Sequence, residues 1–116
     1  AREFIYVADV ARSYLLLAEQ IELAAGEAFN VSTGSPIRII DLVSLLLRVA
    51  GLESRLLPHI LQPSTSPVSD CLSISTDKIY QRLGWKAQVQ LGEGLRQTVA
   101  WYRQFNVGSV IPLPPS

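Results

Sequence analysis

Between Ile39 and Ala50 nearly every helical turn carries two or more aliphatic side chains: Ile39, Ile40, Leu42, Val43, Leu45, Leu46, Leu47 and Val49. A surface helix buries a stripe roughly 100° wide, and this stripe is too wide for a single packing face to cover. Gly51 ends the run. With 116 residues the chain has room for one domain with a modest core, so it is read as one domain or as a piece of something larger. Apolar residues make up 48% and charged residues only 17%, with ten Lys and Arg balancing ten Asp and Glu. That is the composition of a folded globular chain without the basic field a polyanion or an anionic membrane surface would need. Nucleic acid and membrane are therefore not expected partners. The longest apolar runs, such as Leu15 to Ala18, fall far below the ~20 residues of a membrane span. One cysteine, Cys71, and one histidine, His59, make neither an internal disulfide nor a zinc site. The expected location is cytoplasmic.

The rest of the chain alternates short extended patterns with helical ones. Phe4 to Val7 (FIYV) reads as a short buried strand. Val10, Ala11, Tyr14, Leu15, Leu17, Ala18 and Ile21 then follow helical spacing, stopping near Gly26. Ala28 to Val31 (AFNV) reads as a second strand, closed by the turn-rich run Ser32 to Pro36. Arg55 to Leu61 and Cys71 to Ile74 are further strand candidates, on either side of a long loop, Gln62 to Asp70. Ser75 or Thr76 can cap a helix to about Leu83, which Gly84 closes, and Leu91, Leu95, Thr98, Val99, Tyr102 and Phe105 define a last amphipathic helix. This order predicts an α/β or α+β fold, a small helix-rich unit with short strands. Residues 1–105 form the domain and 106–116, ending in PLPPS, a tail.

Catalytic groups are scarce. The one pair at G-x-G spacing, Gly92 and Gly94, has no third glycine at the interval of a dinucleotide pyrophosphate turn. Four residues after Tyr6, Tyr14, Tyr80 and Tyr102 stand Val10, Ala18, Gly84 and Asn106, so no Tyr-to-Lys pair lowers a phenol pKa. His59 and Cys71 lack any nucleophile context and are read as structural. No catalytic residue is expected in this chain.

Three blocks, REFIYVADVARSYLLLAE at 2–19, GEAFNVSTGSPIRIIDLV at 26–43 and DKIYQRLGWKAQVQLGEGLRQTVAWY at 77–102, together resemble the C-terminal, substrate-binding part of the NAD-dependent epimerase/dehydratase family, the extended short-chain dehydrogenases. Within it the chain looks most like the nucleotide-sugar 4,6-dehydratases, the CDP-glucose type first among them. The resemblance implies a two-part enzyme: a Rossmann half, missing here, holds NAD(P) and the catalytic Tyr and Lys, and this part closes over the nucleotide diphosphate of the sugar. It implies that Arg2 reaches the diphosphate, where a guanidinium fork is worth roughly 1.5 to 3 kcal/mol, and that Asn30 helps position the same group. The structural alternatives are a surface arginine paired with Glu3 or another neighbour, and a strand-end turn residue.

Asp9 is read as fixing a helix start, and Trp85 and Trp101 as core anchors. Two departures from the family pattern stand out. The loop before Cys71 reads PSTSPVSD, with no second arginine, leaving Ser64, Thr65 and Ser66 as neutral donors. Arg38 stands where relatives place a Ser or Thr cap, so the capping box with Asp41 is broken, at a cost of about 1 kcal/mol if nothing substitutes. The expected function is nucleotide-sugar binding within an NAD(P)-dependent enzyme, with no cofactor bound to this chain itself. The alternative is a self-association or docking module using the bare aliphatic face, and a homo-oligomer is the expected state.

Overall fold

A computed structural model of the chain describes residues 1–59 and 72–105. Five helices follow one another among these residues: α1 Val7–Glu19, α2 Ile21–Ala24, α3 Ile39–Val49, α4 Asp77–Leu83 and α5 Leu91–Phe105. The apolar spacing that predicts one helix from Val10 to Ala24 is interrupted at Gln20, whose φ of −113° and ψ of 38° leave the helical region, so the run divides into α1 and α2. Gly26, Gly51 and Gly84 take positive φ just beyond α2, α3 and α4. At Gly84 the left-handed residue closes the helix directly, its N–H donating to the Tyr80 carbonyl at 2.8 Å.

The core is small. Ile79 and Leu83 on α4, with Trp85 just beyond it, are buried, and Ile5, Leu16, Leu17, Phe29, Val31 and Ala87 pack around them. Trp85 anchors this cluster as expected, its indole N–H donating to the Asp9 carbonyl at 3.1 Å. Trp101 does not: it is half exposed on α5, edge-on to Tyr102 at 5.1 Å and beside Phe105 at 5.0 Å. Helix α3 packs against α5 and buries no residue completely, which leaves its wide aliphatic stripe partly bare.

The strands do not form among the described residues. Val7 opens α1 instead of closing a strand, 28–31 is irregular backbone, and neither the described part of 55–61 nor that of 71–74 is a strand. One antiparallel bridge remains, between Arg2 and Ile37, with N–H to carbonyl distances of 2.9 and 2.8 Å. Elsewhere these segments are held by side chains. Glu3 accepts from the Ser32 hydroxyl, from the Ser73 hydroxyl at 2.7 Å and from the Ile74 amide at 3.3 Å. The β-branched and aromatic residues that signal strands thus serve as packing residues on the α4 core, with no neighbouring strand to complete a ladder. What stands is a small helix-rich unit. The Gln62 to Asp70 loop and the 106–116 tail lie outside the described residues.

Candidate functional site

A groove of about 380 Å³ lies between the start of the chain, the 33–37 turn and the stretch leading into α5. Phe4, Ile37, Val89 and Leu91 give it apolar walls, and Thr33, Ser35, Gln88 and Gln90 supply neutral donors and acceptors. The turn is shaped locally: the Ser35 amide donates to Thr33 Oγ1 at 3.3 Å, and Gly34 takes a φ of +71°. A smaller cavity of about 150 Å³ continues along Ile5, Tyr6 and Gly94, sharing Phe4, Val89, Gln90 and Leu91 with the first. No charged side chain lines either cavity. Such a lining suits an uncharged, hydroxyl-rich or planar group.

Asp9 lies behind the wall of the groove formed by Gln88 and Val89, whose amides it holds. Its carboxylate is enclosed, accepts from the Gln88 amide at 3.1 Å and the Val89 amide at 3.0 Å, and pairs with Arg12 at 2.6 Å. Burial pushes this carboxyl up, but the Val89 amide, Arg12 and the Gln88 amide together outweigh it and hold it below the usual carboxylate range. Arg12 also donates to the Lys86 carbonyl at 2.7 Å and lies 5.8 Å from the Trp85 ring centre. Asp9 therefore does more than the sequence suggests: it ties the first turn of α1 to the 88–89 backbone and so fixes one wall of the groove.

Arg2 is locked in register with Ile37, which forms one groove wall, and stands two residues from Phe4, which forms another. Its Nη1 donates to the Ala1 carbonyl at 3.0 Å. Asn30 is exposed, two residues before Ser32, which bonds the carboxylate of Glu3. The Glu3–Ser32 contact thus brings the two segments carrying Arg2 and Asn30 together, yet neither residue lines the groove itself. Ser64, Thr65 and Ser66 lie outside the described residues. No motif marks Phe4, Thr33, Ser35, Gln88 or Gln90 as a site residue; the turn chemistry at 32–36 and the polar-apolar alternation of QVQL at 88–91 are the signals the sequence carries for them. At the α3 start no side chain caps the helix, and Arg38 instead pairs with Asp41 through two contacts at 2.6 and 3.1 Å, which raises the Arg38 pKa.

The described residues do not fit a dinucleotide cofactor. Gly92 and Gly94 sit inside α5 and not at a strand-to-helix turn, and Gly94 serves packing, since a Cβ there would meet Tyr6 at 3.2 Å. No group of three or more His, Cys, Asp or Glu able to hold a metal occurs among the described residues. No helix among them is long and apolar enough to cross a membrane.

No family model matches the chain. Over 87% of its length it is 34% identical to the probable GDP-L-fucose synthase 1 of Oryza sativa subsp. japonica, and likewise 34% identical over 87% to the dTDP-glucose 4,6-dehydratase of Escherichia coli. It is 31% identical over 89% of its length to the dTDP-D-glucose 4,6-dehydratase of Mus musculus. In each case the match spans 29% of the relative, so the chain covers less than a third of the length of the curated relatives it matches.

Proposed function

The chain is related over most of its own length to the NAD-dependent epimerase/dehydratase family, and from that premise we propose that it is the part of such an enzyme that binds the nucleotide-diphosphate sugar. The observation that carries the reading is the similarity to both dTDP-glucose dehydratases and GDP-L-fucose synthases over nearly the same stretch. These relatives differ by name in sugar and base, and what the names share is a nucleoside diphosphate joined to a sugar. Arg2 supplies the cationic fork for the diphosphate, and Asn30, Ser64 and Thr65 supply neutral hydrogen bonds. The uncharged groove beside the Arg2–Ile37 bridge suits the neutral end of the ligand, with Phe4 as a flat wall.

In the whole enzyme NAD(P) would serve as the hydride carrier, bound by the part of the relatives that this chain does not match. The residues described here bind and orient, and the isolated chain turns nothing over. The proposed location of the site is the cytoplasm.

Calorimetric titration of the chain with dTDP-glucose and with glucose 1-phosphate tests this directly. Binding of the nucleotide sugar that Arg2→Ala weakens about tenfold or more supports the assignment. Equal affinity in wild type and variant removes Arg2 from the site.

A second reading, self-association, is favoured by the partly bare α3 stripe. It predicts a concentration-dependent oligomer that Leu46→Glu disperses.

A further inference from the structure

The start of the chain is held by two segments distant from it in sequence. Arg2 pairs with Ile37 through both of its backbone groups, and the Ala1 carbonyl accepts from the Leu72 amide at 3.3 Å. Next to these backbone contacts one side chain joins all three segments. Glu3, half-buried, accepts the Ser32 hydroxyl on Oε2 and the Ser73 hydroxyl on Oε1 at 2.7 Å, with the Ile74 amide at 3.3 Å on the same oxygen. Its partners lie 29, 70 and 71 residues away along the chain. None of the three segments belongs to a helix, and among the described residues no sheet ladder joins them. A sheet would hold such segments by a row of backbone bonds. An ionised carboxylate, which accepts on two oxygens from several directions, joins them here instead. The Ser32 hydroxyl is buried, so losing its acceptor would leave a polar group unsatisfied. All three donors are neutral and one is a backbone amide, the same use of a carboxylate that Asp9 makes of the Gln88 and Val89 amides.

We propose that Glu3 is a positioning residue of the nucleotide-sugar site, whose carboxylate fixes the segments bearing Arg2 and Asn30 in one arrangement from which both reach the same diphosphate. This rests on the reading that the chain binds a nucleotide-diphosphate sugar. Arg2 directly precedes Glu3, and Asn30 stands two residues before Ser32, so both are tethered close to the same carboxylate. Without it the Arg2–Ile37 bridge would still hold one segment, but residues 30–32 and 73–74 would lose their side-chain tie to the start of the chain. Binding would then have to order them, and a site that is ordered beforehand avoids that cost. Glu3 itself touches no ligand in this account, since both of its oxygens are taken by the three donors.

The test compares the full chain with Glu3→Ala, Glu3→Gln and Ser73→Ala, reading dTDP-glucose affinity well below each variant's melting temperature and, without ligand, the NOE contacts of residues 1–3 with 32–37 and 72–74. Glu3→Ala is expected to weaken binding about tenfold or more and to lose the contacts with 72–74. Glu3→Gln keeps the reach: its amide oxygen accepts from Ser73 and Ile74, and its amide nitrogen donates to the Ser32 hydroxyl, which can also accept. It is expected to restore the contacts and to bind within about threefold of wild type. A role in stability alone would lower the melting temperature of Glu3→Ala and leave the affinity of the folded protein unchanged, and that result overturns the proposal. Equal loss of affinity in Glu3→Ala and Glu3→Gln, with the contacts intact in Gln, also overturns it, because the charge and not the tie would then be acting. If Glu3→Ala does not fold, Ser73→Ala decides. It removes one donor at an exposed residue and is expected to weaken binding about threefold, and an unchanged affinity overturns the proposal. A wild-type chain that keeps all the contacts and binds no dTDP-glucose fails differently: it overturns the functional reading, and the positioning role falls with it.

Discussion

Asp9 shows how one buried charge can organise a small protein. Its carboxylate is met by two backbone amides and by Arg12, and its own carbonyl accepts from Trp85. Because the folded pKa lies below the ordinary value of 3.8, this stabilisation is fully present above the unfolded-state pKa. It is lost as the pH falls from there through the lower folded value. Urea unfolding between pH 7 and pH 2.5 is therefore expected to show stability declining on the acid side of about pH 4. Asp9→Asn should be less stable at pH 7 by about 2 to 3 kcal/mol, less than a fully enclosed ion pair because Arg12 keeps a third of its exposure. Its acid slope should also be shallower. Glu27, held down by Lys78 and Arg82, and Glu93, held down by Arg96 and Gln97, titrate in the same direction, so the variant's slope is reduced and not abolished. An Asp9→Asn profile that overlays the wild type would remove Asp9 from this role.

Helices were legible in the sequence and strands were not, for a reason visible in particular residues. A helix closes its backbone hydrogen bonds within its own segment, so the helices marked by the periodicities around Ile39 to Ala50 and Leu91 to Phe105, and the stops at Gly51 after α3 and Gly84 after α4, stand in the structure. FIYV and AFNV carry the side chains of strands, but a strand is completed by a neighbour, and among the described residues only Arg2 and Ile37 find one. Of the site, turn chemistry marked the Thr33–Pro36 wall, while the opposite wall at 88–91 depends on Asp9 reaching across 79 residues and could not be read locally.

The two glycines of α5 separate propensity from packing. A Cβ at Gly92 meets nothing within 4 Å, so Gly92→Ala is expected to stabilise the protein by about 0.4 to 1 kcal/mol. A Cβ at Gly94 meets the Cβ and ring of Tyr6 at 3.2 to 3.4 Å, close to the Tyr6 backbone where little can yield. Gly94→Ala is expected to lose the gain and to destabilise by roughly 1 kcal/mol. Thermal unfolding of both variants decides this; a Gly94→Ala protein as stabilised as Gly92→Ala would contradict the packing of Tyr6 on α5.

At the scale of the whole molecule the buried apolar residues are few, Ala24, Ile79, Leu83 and Trp85 among those described, whereas large apolar side chains stand exposed on α1, α2, α3 and α5. Trp85→Ala removes the largest of the buried set, and its cost of about 3 to 5 kcal/mol is expected to leave the isolated chain without a cooperative unfolding transition. A cooperative melt in that variant would mean that the core extends well beyond this cluster. The same balance of surfaces is what the proposed reading of the chain as part of a longer enzyme expects, the matched relatives being more than three times its span.

The central claim, that this part holds the diphosphate of a nucleotide sugar, is most directly tested by a backbone-amide NMR titration with CDP-, UDP-, GDP- and dTDP-hexoses, paired with Arg2→Ala. Saturable shifts at Arg2, at Asn30 and along the 33–37 turn, lost in the variant, are the predicted result, and the base that binds tightest identifies the subgroup. A folded sample that stays unmoved by all four, or shifts that persist unchanged without Arg2, would contradict it.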